Sequence, residues 1–141
     1  MKQVQATLTI STRGKGLYEF TADVLRFVSE SGIHTGLLVL YCRHTSASLT
    51  IQENADPDVQ RDLESFFARL VPEGASWYRH VMEGPDDMPA HIRSALTNVS
   101  LTIPVASGRP VLGTWQGIYL FEHRARPHTR QVFAHLMGDA A

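Results

Sequence analysis

Apolar residues near the start of the chain recur at every second position. Val4, Ala6, Leu8 and Ile10 alternate with Gln5, Thr7 and Thr9. A period of two puts one set of side chains on each face, so this stretch predicts a half-buried strand. RGKG (13–16) reads as a turn. A helix is expected from Thr21 to near Gly32, a residue suited to a left-handed C-cap. GLLVLYC (36–42) and SLTIQ (48–52) are short, mostly apolar runs and predict strands. Asp56-Pro57 marks a second helix start, with Asp as N-cap and Pro in the first turn. Val59, Leu63, Phe66, Phe67 and Leu70 then fall at helical spacing and form one apolar face, and VPEG (71–74) closes the helix. A shorter helix should open at Asp87 or Met88 and run through Leu96, with Ile92 and Leu96 facing inward.

The remainder reads as sheet. VSLTIPV (99–105), VLGTW (111–115), GIYLFE (117–122) and TRQVFAHLM (129–137) are rich in β-branched and aromatic residues, and SGRP (107–110) is a turn between two of them. Short connections imply mostly antiparallel pairing. The expected class is α+β: one domain over 1–141, an antiparallel sheet or two-sheet sandwich with two or three packed helices.

Composition narrows the function. A chain of 141 residues is long enough for a real core. Its net charge of −1 provides no broad basic field, so neither nucleic acid nor an anionic membrane is an expected partner. No apolar run approaches the roughly 20 residues of a membrane span. The opening residues lack the apolar core and cleavage site of a signal peptide. With Cys42 as the single cysteine no internal disulfide is possible, and the expected compartment is a reducing cytoplasm. Seven histidines are the unusual count, and histidine ligates metals and moves protons near neutral pH.

Four polar stretches could carry chemistry. His44-Thr45-Ser46 follows an apolar strand and offers hydroxyls and an imidazole to an oxyanion, or is a turn whose hydroxyls satisfy their own backbone. In Glu53-Asn54-Ala55-Asp56 the glutamate is a candidate base or ligand, whereas Asp56 is explained by the helix start. His80 and the stretch EGPDDMPAH (83–91) hold two histidines, with Asp86 or Asp87 able to join them around a divalent ion. The competing reading makes Asp87 a helix cap and His91 an ordinary helical residue. The last stretch is GTWQG (113–117) followed by Glu122-His123-Arg124, either a carboxylate and anion clamp or a salt-bridged strand end. Cys42 reads best as a small buried residue.

In combination, HTSASL (44–49), ENADPDV (53–59), EGPDDMPAH (83–91), SLTIPV (100–105) and GTWQGIYLFEHR (113–124), in that order, resemble the YjbQ-like family, often labelled secondary thiamine-phosphate synthase. The resemblance runs from about Ile10 to Gly138. It implies an α+β domain assembling as a homotrimer, a phosphorylated small molecule as ligand, a divalent metal (zinc or magnesium) and no organic cofactor. It also implies a side activity that joins a pyrimidinylmethyl diphosphate to a thiazole phosphate and releases diphosphate. The residues that match assign His44, Asp87 and Glu122 as catalytic groups. They assign Thr45, Ser46, Glu53, Asn54, Gln116, Arg124 and Arg130 as substrate contacts, and His80, His91 and Asp86 as metal ligands; the chemistry of the reaction adds Trp115 as a wall that stacks on a substrate ring. Two rival readings stand beside the synthase: a non-catalytic trimer that binds a phosphorylated metabolite or metal, and a metal-dependent hydrolase with Asp86 or Glu53 as base.

Overall fold

Alternation in the first strand carries straight into the architecture. In a computed structural model that describes residues 1–141, β1 (Lys2–Thr12) pairs along its whole length with β8 (His128–Asp139). The larger sheet continues through β3 (Thr35–Cys42) and β5 (Ser100–Ala106) to the two-residue β6 (Arg109–Pro110), in the order β1-β8-β3-β5-β6. A smaller sheet orders β2 (Gly16–Glu19), β7 (Gln116–Glu122) and β4 (Ala47–Glu53) as β2-β7-β4. Every pairing is antiparallel. Helices α1 (Thr21–Ser31), α2 (Pro57–Leu70) and α3 (Asp87–Leu96) complete the α+β fold.

The core draws on both sheets and on α1. Leu38 and Leu40 of β3, Val132, Ala134 and Leu136 of β8, and Ile103 and Val105 of β5 pack with Leu49, Ile118 and Leu120 of the small sheet and with Val24 and Val28. Cys42 is buried there, as its apolar setting predicts. β7 is covered on both faces: Ile118 and Leu120 face this core, while the Phe121 ring meets Phe67 of α2 edge-on at 5.4 Å. That double cover accounts for the unbroken apolar run GIYLF. Gly36 and Gly138 pair where β3 meets β8, and a Cβ on Gly36 would lie 2.3 Å from the Met137 carbonyl oxygen, so only glycine fits.

Helix starts follow the expected chemistry at Asp56, whose carboxylate accepts from the Asp58 N–H (2.9 Å) with Pro57 in the first turn. Three expectations are corrected. VLGTW (111–115) is not a strand: Pro110 has no N–H to donate, and the Gln116 side chain folds back to accept from the Gly113 N–H (2.7 Å), leaving Trp115 62% exposed. Instead β2, too short to show a period, pairs with β7 between the expected turn and the helix expected from Thr21. Leu96 does not face inward; it is 57% exposed, and α3 buries Asp87, Pro89, Ala90 and Arg93. Asp87 is not the cap of α3 either, because Asp86 holds the N-cap position and makes no side-chain capping bond.

Candidate functional site

One end of the sandwich gathers most of the polar residues singled out from the sequence. There β1 and β3 end, β4 and β8 begin, β7 ends at Glu122, and α3 begins. The other end of the small sheet holds Glu53, Asn54, Trp115 and Gln116, with Glu53 paired to Gln116 and Ala47 paired to Glu122. Those pairs lie six residues apart along β4, roughly 20 Å at about 3.4 Å per residue. Within one chain the substrate contacts assigned to these four residues therefore lie far from His44 and Arg130. Glu53 is occupied locally, its carboxylate accepting from the Asp56 N–H (3.0 Å).

The closest grouping of ligand-type atoms is His80, Asp87 and His91. Their donor atoms all lie within 4.8 Å of one another. His80 Nε2 donates to Asp87 Oδ2 at 2.6 Å, and His91 Nε2 lies 3.2 Å from the same oxygen. Asp87 and His91 are four apart on α3, one turn on the same face, while His80 comes from the preceding loop. The Asp87 side chain is only 3% exposed, and both imidazoles reach solvent. Burial opposes ionisation of Asp87, but the bond from His80 and the charges of Arg124 and His91 outweigh it and hold the carboxyl below the usual range. Asp86, expected as the ligand, is turned away. Its carboxylate accepts from Arg124 Nε (2.9 Å) and the Ala125 N–H (2.8 Å), which overcome burial and keep it ionised too.

Two cavities flank this cluster. His91 borders a cleft of about 300 Å³ that also has His44, Thr45, Ser94 and Val99 in its wall. His80 borders a cavity of about 440 Å³ with Tyr78, Val81, Pro85 and Met88 in its wall. His44 accepts from the Gln131 N–H at Nε2 (2.8 Å), and its Nδ1 lies 3.4 Å from the Arg130 guanidinium. Burial first, and then the Arg130 charge, push the His44 pKa down, so the ring is neutral near pH 7.

Glu122 and Arg130 stand behind this cleft as a buried ion pair. Glu122 is fully enclosed, and its oxygens accept from Arg130, Thr12 Oγ1 (2.6 Å), the His123 N–H (3.0 Å) and the Arg124 N–H (3.1 Å). Arg130 also donates to Ser46 Oγ (2.9 Å) and the Ser46 carbonyl (3.2 Å). Burial again opposes ionisation of Glu122, and these donors overcome it. With its lone pairs filled, Glu122 braces the loop ends. Arg124 likewise spends its guanidinium on Asp86, Asp87 and the Glu83 carbonyl, not on a free anion face.

Several participants escaped the sequence reading. Ser94 and Val99 line the cleft, and Thr12 anchors Glu122. His123, named within its stretch but given no role of its own, is enclosed, with Nε2 2.8 Å from Ser48 Oγ, which is 2.7 Å from Thr97 Oγ1. Burial, with the Arg93 charge second, lowers its pKa to about 3. The one available signal was Thr12, which continues the inward-facing register of Ile10 with a hydroxyl.

The sequence model described as "UPF0047 protein YjbQ-like" matches residues 6–139. The chain belongs to the YjbQ-like UPF0047 family. It is 57% identical to the UPF0047 protein sll1880 of Synechocystis sp. over 138 residues, 98% of this chain and 94% of that protein. It is 46% identical to the UPF0047 protein YjbQ of Escherichia coli O157:H7, over 96% of this chain and 98% of that one. A crystal structure of an uncharacterized conserved family protein from Clostridium acetobutylicum superposes with a TM-score of 0.83 at 37% identity, covering 95% and 99% of the two chains. At 21% identity, a YbjQ-like protein of unknown function from Sulfolobus solfataricus P2 shares the fold with a TM-score of 0.85 over 98% of this chain and 100% of that one.

Proposed function

We propose that the protein binds a divalent metal at His80, Asp87 and His91 and acts there on a small phosphorylated molecule. The observation that carries this reading is the shared Asp87 oxygen between two imidazoles at the mouth of two cavities. Two nitrogens and one oxygen suit zinc, and three protein ligands leave the fourth tetrahedral position for a substrate. Magnesium fits the set less well, because it takes oxygen ligands in octahedral geometry. Ligands about 2.0–2.1 Å from a tetrahedral ion sit about 3.3 Å apart. The His91 contact at 3.2 Å already matches that spacing, and the His80 contact at 2.6 Å must open when its proton is replaced.

A divalent ion held there would supply Lewis-acid polarisation of a phosphoryl oxygen. The chain's own residues supply the remainder. Thr45, Ser94 and the neutral His44 ring give the 300 Å³ cleft a polar wall for the anionic head. Tyr78, Val81, Pro85 and Met88 offer an apolar wall to the rest of the molecule. Joining a pyrimidinylmethyl diphosphate to a thiazole phosphate is one reaction of this kind, and hydrolysis of a phosphate ester is another. A binder without turnover is favoured by one observation: Asp86 and Glu122 are both already paired, so neither is free to serve as a base.

Calorimetric titration with zinc, followed by phosphonates added to the zinc-loaded protein, tests the reading. Phenylphosphonate is expected to bind at least about tenfold tighter than methylphosphonate, since burying a ring contributes about 1.5–3 kcal/mol. Replacing His44 by Ala should weaken both. Absence of zinc binding, or of any phosphonate binding, would sink the proposal. Release of nitrophenol from p-nitrophenyl phosphate would point to the hydrolase, and diphosphate release from the two thiamine precursors to the synthase. Binding without either would leave the binder.

We also infer assembly into the homotrimer that the family resemblance implies. α2 has no buried residue, and Phe66 and Leu70 on it are more than half exposed. Exposed apolar surface of this kind marks interaction sites. Sedimentation equilibrium should return three times the mass of the 15.7 kDa chain; a monomer mass would overturn the inference.

A further inference from the structure

Arg124 stands where the chain leaves β7, and every arm of its guanidinium is committed to α3 or to the loop before it. Nε donates to Asp86 Oδ2 at 2.9 Å, one terminal nitrogen donates to Asp87 Oδ1 at 2.6 Å, and the other donates to the Glu83 carbonyl at 2.9 Å. The Arg124 backbone N–H is itself fixed on Glu122 (3.1 Å), and the neighbouring Ala125 N–H reaches Asp86 Oδ2 (2.8 Å). Gly84, with φ of +101°, lets the loop pass close above this clamp; a Cβ there would sit 3.2 Å from Asp86 Oδ1.

The consequence falls on Asp87. A carboxylate on a short side chain turns easily about its last bond. Here Oδ1 is held by Arg124, so Oδ2 is the oxygen left facing His80 and His91. Any rotation that withdrew Oδ2 from the imidazoles would also break the 2.6 Å bond to Arg124. Charge-assisted bonds of this kind are about twice as strong as neutral ones, and the planar fork fixes direction as well as distance.

We propose that Arg124 is a positioning residue for metal binding, and that Asp86 acts on the same centre through Arg124 although it is outside the donor set. The proposal rests on the metal reading above. Partners that orient a ligand in this way typically change metal affinity 10–100-fold when altered. Lysine offers a single point of donation where the guanidinium serves three acceptors in different directions, so Arg124→Lys keeps the charge and loses the geometry.

Zinc affinity is measured by competition with a chromophoric chelator for wild type, Arg124→Lys, Asp86→Ala and His80→Ala. A further variant, Glu64→Gln, alters a separate ion pair with Arg93 and serves as control. Affinity is expected to fall about 10–100-fold in Arg124→Lys and by a smaller factor in Asp86→Ala, with Glu64→Gln unchanged. The cobalt(II)-loaded Arg124→Lys protein should also show displaced absorption bands, a change of ligand geometry that a simple loss of stability does not produce. Should Arg124→Lys fail to fold by circular dichroism, Asp86→Ala decides alone. Wild-type affinity in both variants, with zinc lost in His80→Ala, overturns the positioning role and leaves the metal site standing. If wild type itself binds no zinc, the metal reading fails and takes this proposal with it.

Discussion

Replacing Glu122 by Gln should cost about 3–5 kcal/mol of stability, the usual effect of removing one partner from a buried ion pair. Glu122 is fully enclosed and Arg130 is 4% exposed, so the guanidinium left behind cannot recover its hydration. The amide of Gln would also turn an N–H₂ toward donors where the carboxylate accepts from Arg130, Thr12, His123 and Arg124. A urea midpoint that moves by less than about 1 kcal/mol equivalent would show that the pair is not under this constraint. Replacing both partners by apolar residues should recover part of the loss, since such pairs often exchange with well-packed hydrophobics at little cost. The same carboxylate sets an acid limit. Its folded pKa lies below the unfolded value of about 4.3, so its contribution is present above that pH and is lost as pH falls through the folded pKa. Asp86 and Asp87 are shifted in the same direction and should steepen the loss below about pH 4.

The second large effect belongs to the proposed metal site at His80, Asp87 and His91. Asp87→Ala should weaken zinc binding by more than about 100-fold, beyond what outer partners typically cost. Asp87 supplies the oxygen that both imidazoles face, and Asp86 is held elsewhere by Arg124, so no neighbouring carboxylate takes its place. Calorimetry on Asp87→Ala beside wild type gives the answer, and equal affinities would exclude Asp87 as a ligand. The variant also leaves Arg124 without one of its two carboxylates. Its melting temperature without metal therefore separates loss of a ligand from loss of the fold.

Much of this arrangement was legible before folding. Period-two alternation located β1, and β5 and β8 followed from β-branched and aromatic runs. Asp56-Pro57 marked α2 because capping is a local interaction, complete within three residues. His80, His91 and an acid from the 83–91 stretch could be named together because two of the three donor residues share one helix turn and the third is seven positions away from Asp87. Which of Asp86 and Asp87 faces the histidines is set outside that stretch. Arg124, 38 residues further on, claims Asp86 and leaves Asp87 to the histidines.

Apolar periodicity, caps and the family pattern, all properties of neighbouring residues along the chain, determined the α+β class and the candidate residues. Only the tertiary structure decided which candidates meet. Pairing of β4 with β7 sends Glu53, Asn54, Trp115 and Gln116 to one end of a sheet and Glu122 to the other. Burial of Glu122 and Arg130 joins the expected catalytic carboxylate and an expected substrate contact into a brace, because an enclosed charge keeps the partner that neutralises it. The metal candidates converge because Arg124 ties the end of β7 to the first turn of α3, a contact that no local pattern encodes.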